Sequence, residues 1–267
     1  MRIAIVFDVS GTILKPYRVV VDCWSGKLLK EISVIELVSS AKRALVNLEG
    51  PLSKVAKDPG KFLEKARAVA SYYVGISKEE AVKIYRLSLK EEENFRRIAE
   101  GLKAAYLEVL RTGKTKYGTG LAAIVDGEIR RPSHCVGLGG ELYPGIVELI
   151  SGLKKRGIDF FLVSGNCRNS VGKLAKKLGI SSYFTFANAD PYEKAEIVVR
   201  LKGFYGLVFM IGNDLNDYEA MIHADISILT LQDGEEKPRE LFEVADYVVE
   251  ETREILGLVD QIIERAE

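Results

Sequence analysis

From about Tyr143 onward, short apolar runs alternate with amphipathic stretches of helical period, and this alternation restricts the fold more than any other feature of the chain. The runs are Ile158 to Val163, Tyr183 to Phe186, Leu207 to Ile211, Ile226 to Leu229 and Tyr247 to Val249. Helical stretches fall between them at Pro144 to Arg156, Ser170 to Leu178, Pro191 to Leu201, Asn216 to His223 and Pro238 to Val244. Strands separated by helices return to a sheet through crossovers, so they pair in parallel and bury both faces. Arg2 to Phe7 is a further apolar run of this kind. The pattern predicts an α/β, doubly wound parallel sheet formed by both ends of the chain, residues 1–14 and 141–267.

Residues 15–140 read differently. A hairpin is expected from Arg18 to Asp22 and Leu28 to Val34 around "WSGK", and a second from Leu121 to Val136 around "VDGE". Between them, helices are expected near Ile35 to Leu48, Pro59 to Tyr73 and Lys78 to Leu110. This segment is predicted to be an inserted, mainly helical domain.

Lys plus Arg equals Asp plus Glu at 38 each, a balance that argues against a nucleic-acid groove or a patch for acidic membranes. Cys23, Cys135 and Cys167 are widely spaced and form neither a zinc nor a disulfide framework. The start of the chain lacks the apolar stretch of a signal peptide, and no uncharged apolar run approaches the ~20 residues of a membrane span. A cytoplasmic protein is expected, with no membrane or nucleic-acid partner; its oligomeric state is not encoded in any motif.

In a doubly wound sheet, ligands bind outside the carboxyl ends of the strands. After the first run come Asp8, Ser10, Gly11 and Thr12; after "DFFLV" come Ser164, Gly165 and Asn166. "NADPYEK" places Lys194 one turn into a helix, and after "LVFMI" come Gly212, Asn213, Asp214, Leu215, Asn216 and Asp217. These positions supply a nucleophilic carboxylate, a hydroxyl beside turn N–H groups, a cation and an acidic loop. That set suits phosphoryl transfer: the carboxylate attacks phosphorus, Ser164, the turn N–H groups and Lys194 hold phosphoryl oxygens, and oxygen ligands hold Mg²⁺. "TGKT" at 112–115 lacks the upstream glycine of a P-loop, because Glu108 stands there.

With four motifs in this order, the sequence resembles the haloacid dehalogenase superfamily. "LKKRGIDFFLVSGN", "PYEKAEIVVRL" and "GNDLNDYEAMIHADISIL" are most similar to the phosphorylation domain of P-type ATPases and its soluble phosphatase relatives. The resemblance implies a core of that superfamily with the insertion as a cap over a small phosphorylated substrate. It implies Mg²⁺-dependent hydrolysis through an aspartyl phosphate on Asp8. Thr12, Ser164, Gly165, Asn166 and Lys194 are then expected to bind phosphate, and Asp8, the Ser10 carbonyl, Asn213, Asp214 and Asp217 to supply the metal ligands.

Two positions depart from the family pattern. Ser10 stands where phosphatases of the family carry a second Asp that protonates the leaving alkoxide. Its absence matters least for acidic leaving groups, as in acyl phosphates and phosphoanhydrides. Asn213 stands where the metal loop has its first Asp, and an amide oxygen brings no charge. These departures leave three alternatives open: a carbon–halogen hydrolase, a phosphonate-cleaving enzyme, and a phosphate-binding regulatory module with negligible turnover.

Overall fold

The apolar runs pair as parallel strands around the amino-terminal one. A computed structural model describes residues 1–30, 32–234 and 236–266. Its strands are β1 (Ile3–Phe7), β2 (Leu14–Asp22), β3 (Leu28–Lys30), β4 (Arg43–Glu49), β5 (Arg67–Val74), β6 (Gly120–Asp126), β7 (Arg131–Leu142), β8 (Asp159–Ser164), β9 (Thr185–Ala187), β10 (Leu207–Gly212), β11 (Ile226–Thr230) and β12 (Tyr247–Val249). The chain divides into one unit of Met1–Lys15, Leu142–Ser164 and Leu174–Glu267 and a second of Pro16–Glu141 and Gly165–Lys173.

The first unit holds a sheet in the order β12-β11-β10-β1-β8-β9. Its neighbours pair in parallel throughout. Every residue of β1 is buried, which is why its apolar run does not alternate. The chain re-enters the sheet at β8 on one side of β1, continues to β9, and crosses to β10 on the other side. The strand order therefore reverses at β1, and ligands in such sheets bind at that reversal. Register brings the strand ends level: Phe7 pairs with Ile211 and with Leu162, so Asp8 follows β1 beside Gly212, the last residue of β10, and one residue short of Ser164, the last of β8. The expected helices form at Ile146–Lys155, Arg168–Leu178, Pro191–Lys202, Tyr218–His223 and Arg239–Val244; a further helix, Thr252–Ala266, had no counterpart in the sequence reading.

The second unit corrects the sequence reading, since it is not mainly helical. It contains a sheet in the order β3-β2-β7-β6-β4-β5, with β2–β3, β6–β7, β4–β6 and β4–β5 antiparallel. The expected helix Ile35 to Leu48 ends at Ser39 and gives way to β4, and the expected helix Pro59 to Tyr73 ends at Lys65 and gives way to β5. Both faces of this sheet are covered. Val19 and Val21 of β2 face one cluster with Ile84, Ile98 and Leu102, while Val20 faces another with Val34, Val38 and Ile124. In "RALVNLE" Ala44, Val46 and Leu48 face the first of these clusters while Arg43, Asn47 and Glu49 alternate with them, a period-2 signal that the helical reading passed over. Among the described residues, no helix is long and apolar enough to cross a membrane.

Glycines in β7 permit close backbone approach to the preceding helix and its exit. A Cβ on Gly139 would lie 2.4 Å from the Lys114 carbonyl oxygen, a backbone atom that cannot swing away. Gly139→Ala is expected to destabilise the chain by about 1–3 kcal/mol, read as a lowered midpoint in urea unfolding; an unchanged midpoint would contradict this packing.

Candidate active site

The loop after β1 is a tight one. Ile13 N–H and Leu14 N–H both donate to the Val9 carbonyl, at 2.9 and 2.8 Å, and Gly11 N–H donates to the Leu14 carbonyl at 2.8 Å. Gly11 takes φ of 92°, which a side chain rarely adopts, and its Cβ would lie 2.0 Å from Asn213 Nδ2. This turn closes Asp8 and Thr12 from solvent, leaving them 3 % and 1 % exposed.

Lys194 arrives from the other side. Asn188 sits at φ of 58°, Asp190 caps the helix Pro191–Lys202 in a capping box with Glu193, and Pro191 takes the first helical position. The cap fixes the start of the helix, so Lys194 falls within its first turn, and the lysine is fully buried. Its Nζ donates to Asp8 Oδ1 and to Asp217 Oδ1, each at 2.6 Å. An ammonium has three N–H donors, so one is left for a ligand oxygen.

Asp217 is a buried anchor. Beyond Lys194, its Oδ2 accepts from the backbone N–H groups of Asn213 at 3.0 Å and Asp214 at 3.4 Å. Gly212 makes this fold-back possible, since a Cβ there would lie 2.6 Å from the Asp217 Cβ. Asp214 turns to its own backbone, with Oδ1 accepting from Leu215 N–H at 2.7 Å at the start of the short 3₁₀ turn Leu215–Asp217.

Two carboxylates share one buried cation, so the trio carries a net charge of −1 when both are ionised. Burial, and then the charge of Asp217, push the Asp8 carboxyl up to about 7, with Lys194 pulling the other way. Burial opposes the Lys194 charge, but Asp217 and Asp8 outweigh it and raise its pKa above the ordinary lysine value.

The structure thus gathers Asp8, Ser10, Thr12, Lys194, Asn213, Asp214 and Asp217 around the reversal of strand order, in one unit. Ser164, 1 % exposed, ends β8 in the same unit, and its carbonyl accepts from Ala189 N–H at 3.0 Å. Gly165 and Asn166 group with the other unit, where the Gly165 carbonyl accepts from Asn47 Nδ2 at 2.6 Å. Four residues were missed by the sequence reading. Asn213 Nδ2 donates to Asp233 Oδ2 at 2.6 Å, and Lys237 pairs with the same oxygen. Gln232 Nε2 donates to the Thr12 carbonyl, and the Asn216 Oδ1 is buried with no hydrogen-bond partner. Asp233 follows the end of β11 by three residues, so the rule that strand ends carry the ligand groups already pointed to it.

Among the described residues, no group of three or more His, Cys, Asp or Glu is placed to hold a metal. The oxygens near the nucleophile turn are instead the Asp8 carboxylate and the Asn213 amide oxygen, 3.5 Å from Thr12 Oγ1. An all-oxygen set of carboxylate and amide fits a hard divalent cation.

Comparison with known proteins shows the family. The haloacid dehalogenase-like hydrolase model matches residues 4–225. A soluble P-type ATPase-like phosphatase of Methanocaldococcus jannaschii is 29 % identical over 271 residues, covering 98 % of this chain and 95 % of that protein. A copper-transporting ATPase of Oryza sativa subsp. japonica is 26 % identical over 235 residues, covering 84 % of this chain but only 22 % of the pump. A solved phosphoserine phosphatase, as a phospho-aspartyl intermediate analogue, aligns over 96 % of this chain and 98 % of its own, with 18 % identity and a TM-score of 0.46. With the family model spanning most of its length, the chain belongs to the haloacid dehalogenase-like hydrolases.

Proposed function

We propose that this protein is a phosphatase that hydrolyses a small phosphorylated molecule through a phosphoryl intermediate on Asp8. The observation that carries the reading is the Lys194 ammonium 2.6 Å from the buried Asp8 carboxylate at the reversal of strand order. An Asp8 oxygen attacks phosphorus, the P–O bond to the leaving group breaks, and the leaving oxygen departs with the bonding pair. Water then attacks the aspartyl phosphate, releasing inorganic phosphate and restoring the Asp8 carboxylate. Lys194 holds Asp8 in place, keeps its charge and offers its remaining N–H to a phosphoryl oxygen. Thr12 and Ser164 are the proposed hydroxyl partners of phosphate. For Gly165 and Asn166 the same role rests on the sequence pattern.

Mg²⁺ is the proposed cation, with Asp8, the Ser10 carbonyl and Asn213 as its protein ligands. When bound, it supplies positive charge that lowers repulsion between the carboxylate and the incoming phosphoryl group. Asp214 and Asp217 were also expected as ligands. Their hydrogen bonds to Lys194, to the Asn213 and Asp214 N–H groups and to Leu215 N–H support anchoring by Asp217 and capping by Asp214 as the proposed roles.

Phosphate release from acetyl phosphate, ATP and a sugar phosphate, with and without Mg²⁺, tests the reading. Turnover is expected to be Mg²⁺-dependent and to favour acetyl phosphate. Asp8→Asn is expected to lower kcat/KM by at least about 10³-fold and to abolish the phosphoryl adduct in intact-protein mass. No turnover and no adduct on any substrate would overturn it.

Ser10 accounts for the leaving-group preference. Ser10→Asp, which supplies a general acid, is expected to raise hydrolysis of the sugar phosphate by roughly 10²-fold while changing acetyl phosphate turnover little. An equal effect on both would show that leaving-group protonation is not what limits the wild type.

Stability carries a separate signature. The raised Asp8 pKa favours the neutral acid in the folded chain, so its contribution is fully present below about pH 4 and is lost as pH rises through about 7. Asp8→Asn keeps an acceptor for Lys194 and brings the trio to net zero. In metal-free protein its melting temperature is expected to exceed that of wild type at pH 8, by roughly 2–4 °C for each kcal/mol relieved. The gap should close toward pH 5, and a gap that does not depend on pH would exclude Asp8 titration as its cause.

A further inference from the structure

The segment after β11 has no part in the chemistry above, yet it reaches both loops of the site. Gln232 Oε1 accepts from Thr252 Oγ1 at 2.5 Å, which orients the amide so that Nε2 donates to the Thr12 carbonyl. One residue on, Asp233 Oδ2 accepts from Asn213 Nδ2 at 2.6 Å and pairs with Lys237 four positions along. The Asp233 and Lys237 side chains are 5 % and 3 % exposed, so this is a buried ion pair, and an internal one within a single unit.

Two physical consequences follow. An Asn side chain has a donor end and an acceptor end of nearly equal shape, and its surroundings decide which way it points. An ionised carboxylate only accepts, so Asp233 requires Nδ2 on its own side and sends Oδ1 the opposite way. There Oδ1 lies 3.5 Å from Thr12 Oγ1, and the missing Cβ of Gly11, which would lie 2.0 Å from Nδ2 and 2.8 Å from Oδ1, leaves room for the whole amide. In addition, a charge-assisted bond to the N–H end polarises the amide and makes its oxygen a stronger ligand than that of a solvated Asn.

We propose that Asp233 is a positioning residue for the cation site: paired with Lys237, it locks the Asn213 amide with Oδ1 toward the nucleophile turn and strengthens that oxygen as a metal ligand. It thereby stands in, one hydrogen bond removed, for the carboxylate that position 213 lacks. The inference rests on the cation reading of the previous subsection, and the test separates the two.

Mg²⁺ binding to the full chain is measured by titration calorimetry without substrate, for wild type, Asp233→Asn and the exchanged pair Asn213→Asp/Asp233→Asn. Asp233→Asn is expected to weaken Mg²⁺ by about 10-fold, because Asn at 233 permits either orientation of Asn213 and carries no charge. In the exchanged pair the carboxylate sits at 213 and accepts from the amide at 233, so affinity should return to the wild-type value or above it. A carboxylate at 213 is itself a metal ligand, so the Asn213 amide protons, not the return of affinity, separate positioning from a merely structural role. The side-chain amide protons of Asn213 in metal-free wild type give a readout that needs no variant. They are expected to be shifted downfield and slow to exchange with solvent. Wild type that binds no Mg²⁺ would overturn the cation reading itself. Wild-type binding that Asp233→Asn leaves unchanged, or freely exchanging Asn213 amide protons, would overturn the inference alone.

Discussion

The site is organised around one buried ammonium. Lys194 is fully shielded from solvent and lies 2.6 Å from each of two carboxylates, one on the β1 loop and one on the β10 loop. Burying a charge is costly unless it is paired and hydrogen-bonded. Lys194 meets that condition only while both loops stay in place. The ion pair thus couples three segments that are remote in sequence: the Asp8 turn, the capped helix beginning at Pro191, and the loop from Gly212 to Asp217. Removing Lys194 would leave two uncompensated carboxylates among apolar strands.

The geometry around that ammonium follows from backbone constraints more than from side-chain choice. Parallel register brings Asp8 and Gly212 out of the sheet at one level. Gly11 lacks the Cβ that would keep the β1 loop off Asn213, and Gly212 lacks the one that would block the fold-back of Asp217 within the β10 loop. The Asp190 and Glu193 capping box fixes where the lysine helix begins, and hence the turn from which Lys194 reaches inward. Burial first, and then the excess negative charge that Asp217 brings to this trio, push the Asp8 carboxyl up to about 7. A divalent cation answers that excess directly.

Much of this was legible in the sequence, and the limits have physical causes. The parallel sheet was readable because each strand is a short apolar run followed by a helix, and Asp8, Lys194 and Asp217 were readable because they stand at strand ends or one turn into a helix. The strands β4 and β5 were not, because each follows a short helix closely, Ser39 to Arg43 and Lys65 to Arg67, and one apolar window ran across both elements. The direction of a carboxylate was equally hidden. Asp214 and Asp217 are three residues apart in one acidic loop, yet one caps its own turn and the other turns inward to Lys194. No spacing rule distinguishes them; the difference arises from which backbone N–H groups each can reach. Asp233 stands just past β11, where the strand-end rule points, but its pairing with Asn213 across 20 residues has no periodic signature.

Asn213 acquires a rationale from the charge already present. An aspartate at that position would place a third carboxylate beside Asp8 and Asp217, with Lys194 alone to offset them, and the metal-free trio would go from −1 to a cluster of −2. Like charges held close in a low-dielectric interior repel strongly. The amide removes that repulsion, and the displaced negative charge resides on Asp233, where Lys237 neutralises it. The arrangement exchanges some attraction for a cation against a metal-free fold that does not strain its own site. On this account Ser10 and Asn213 belong to one pattern. Both replace a carboxylate by a neutral oxygen, and both leave Asp8 and Asp217 as the acidic groups that Lys194 must hold.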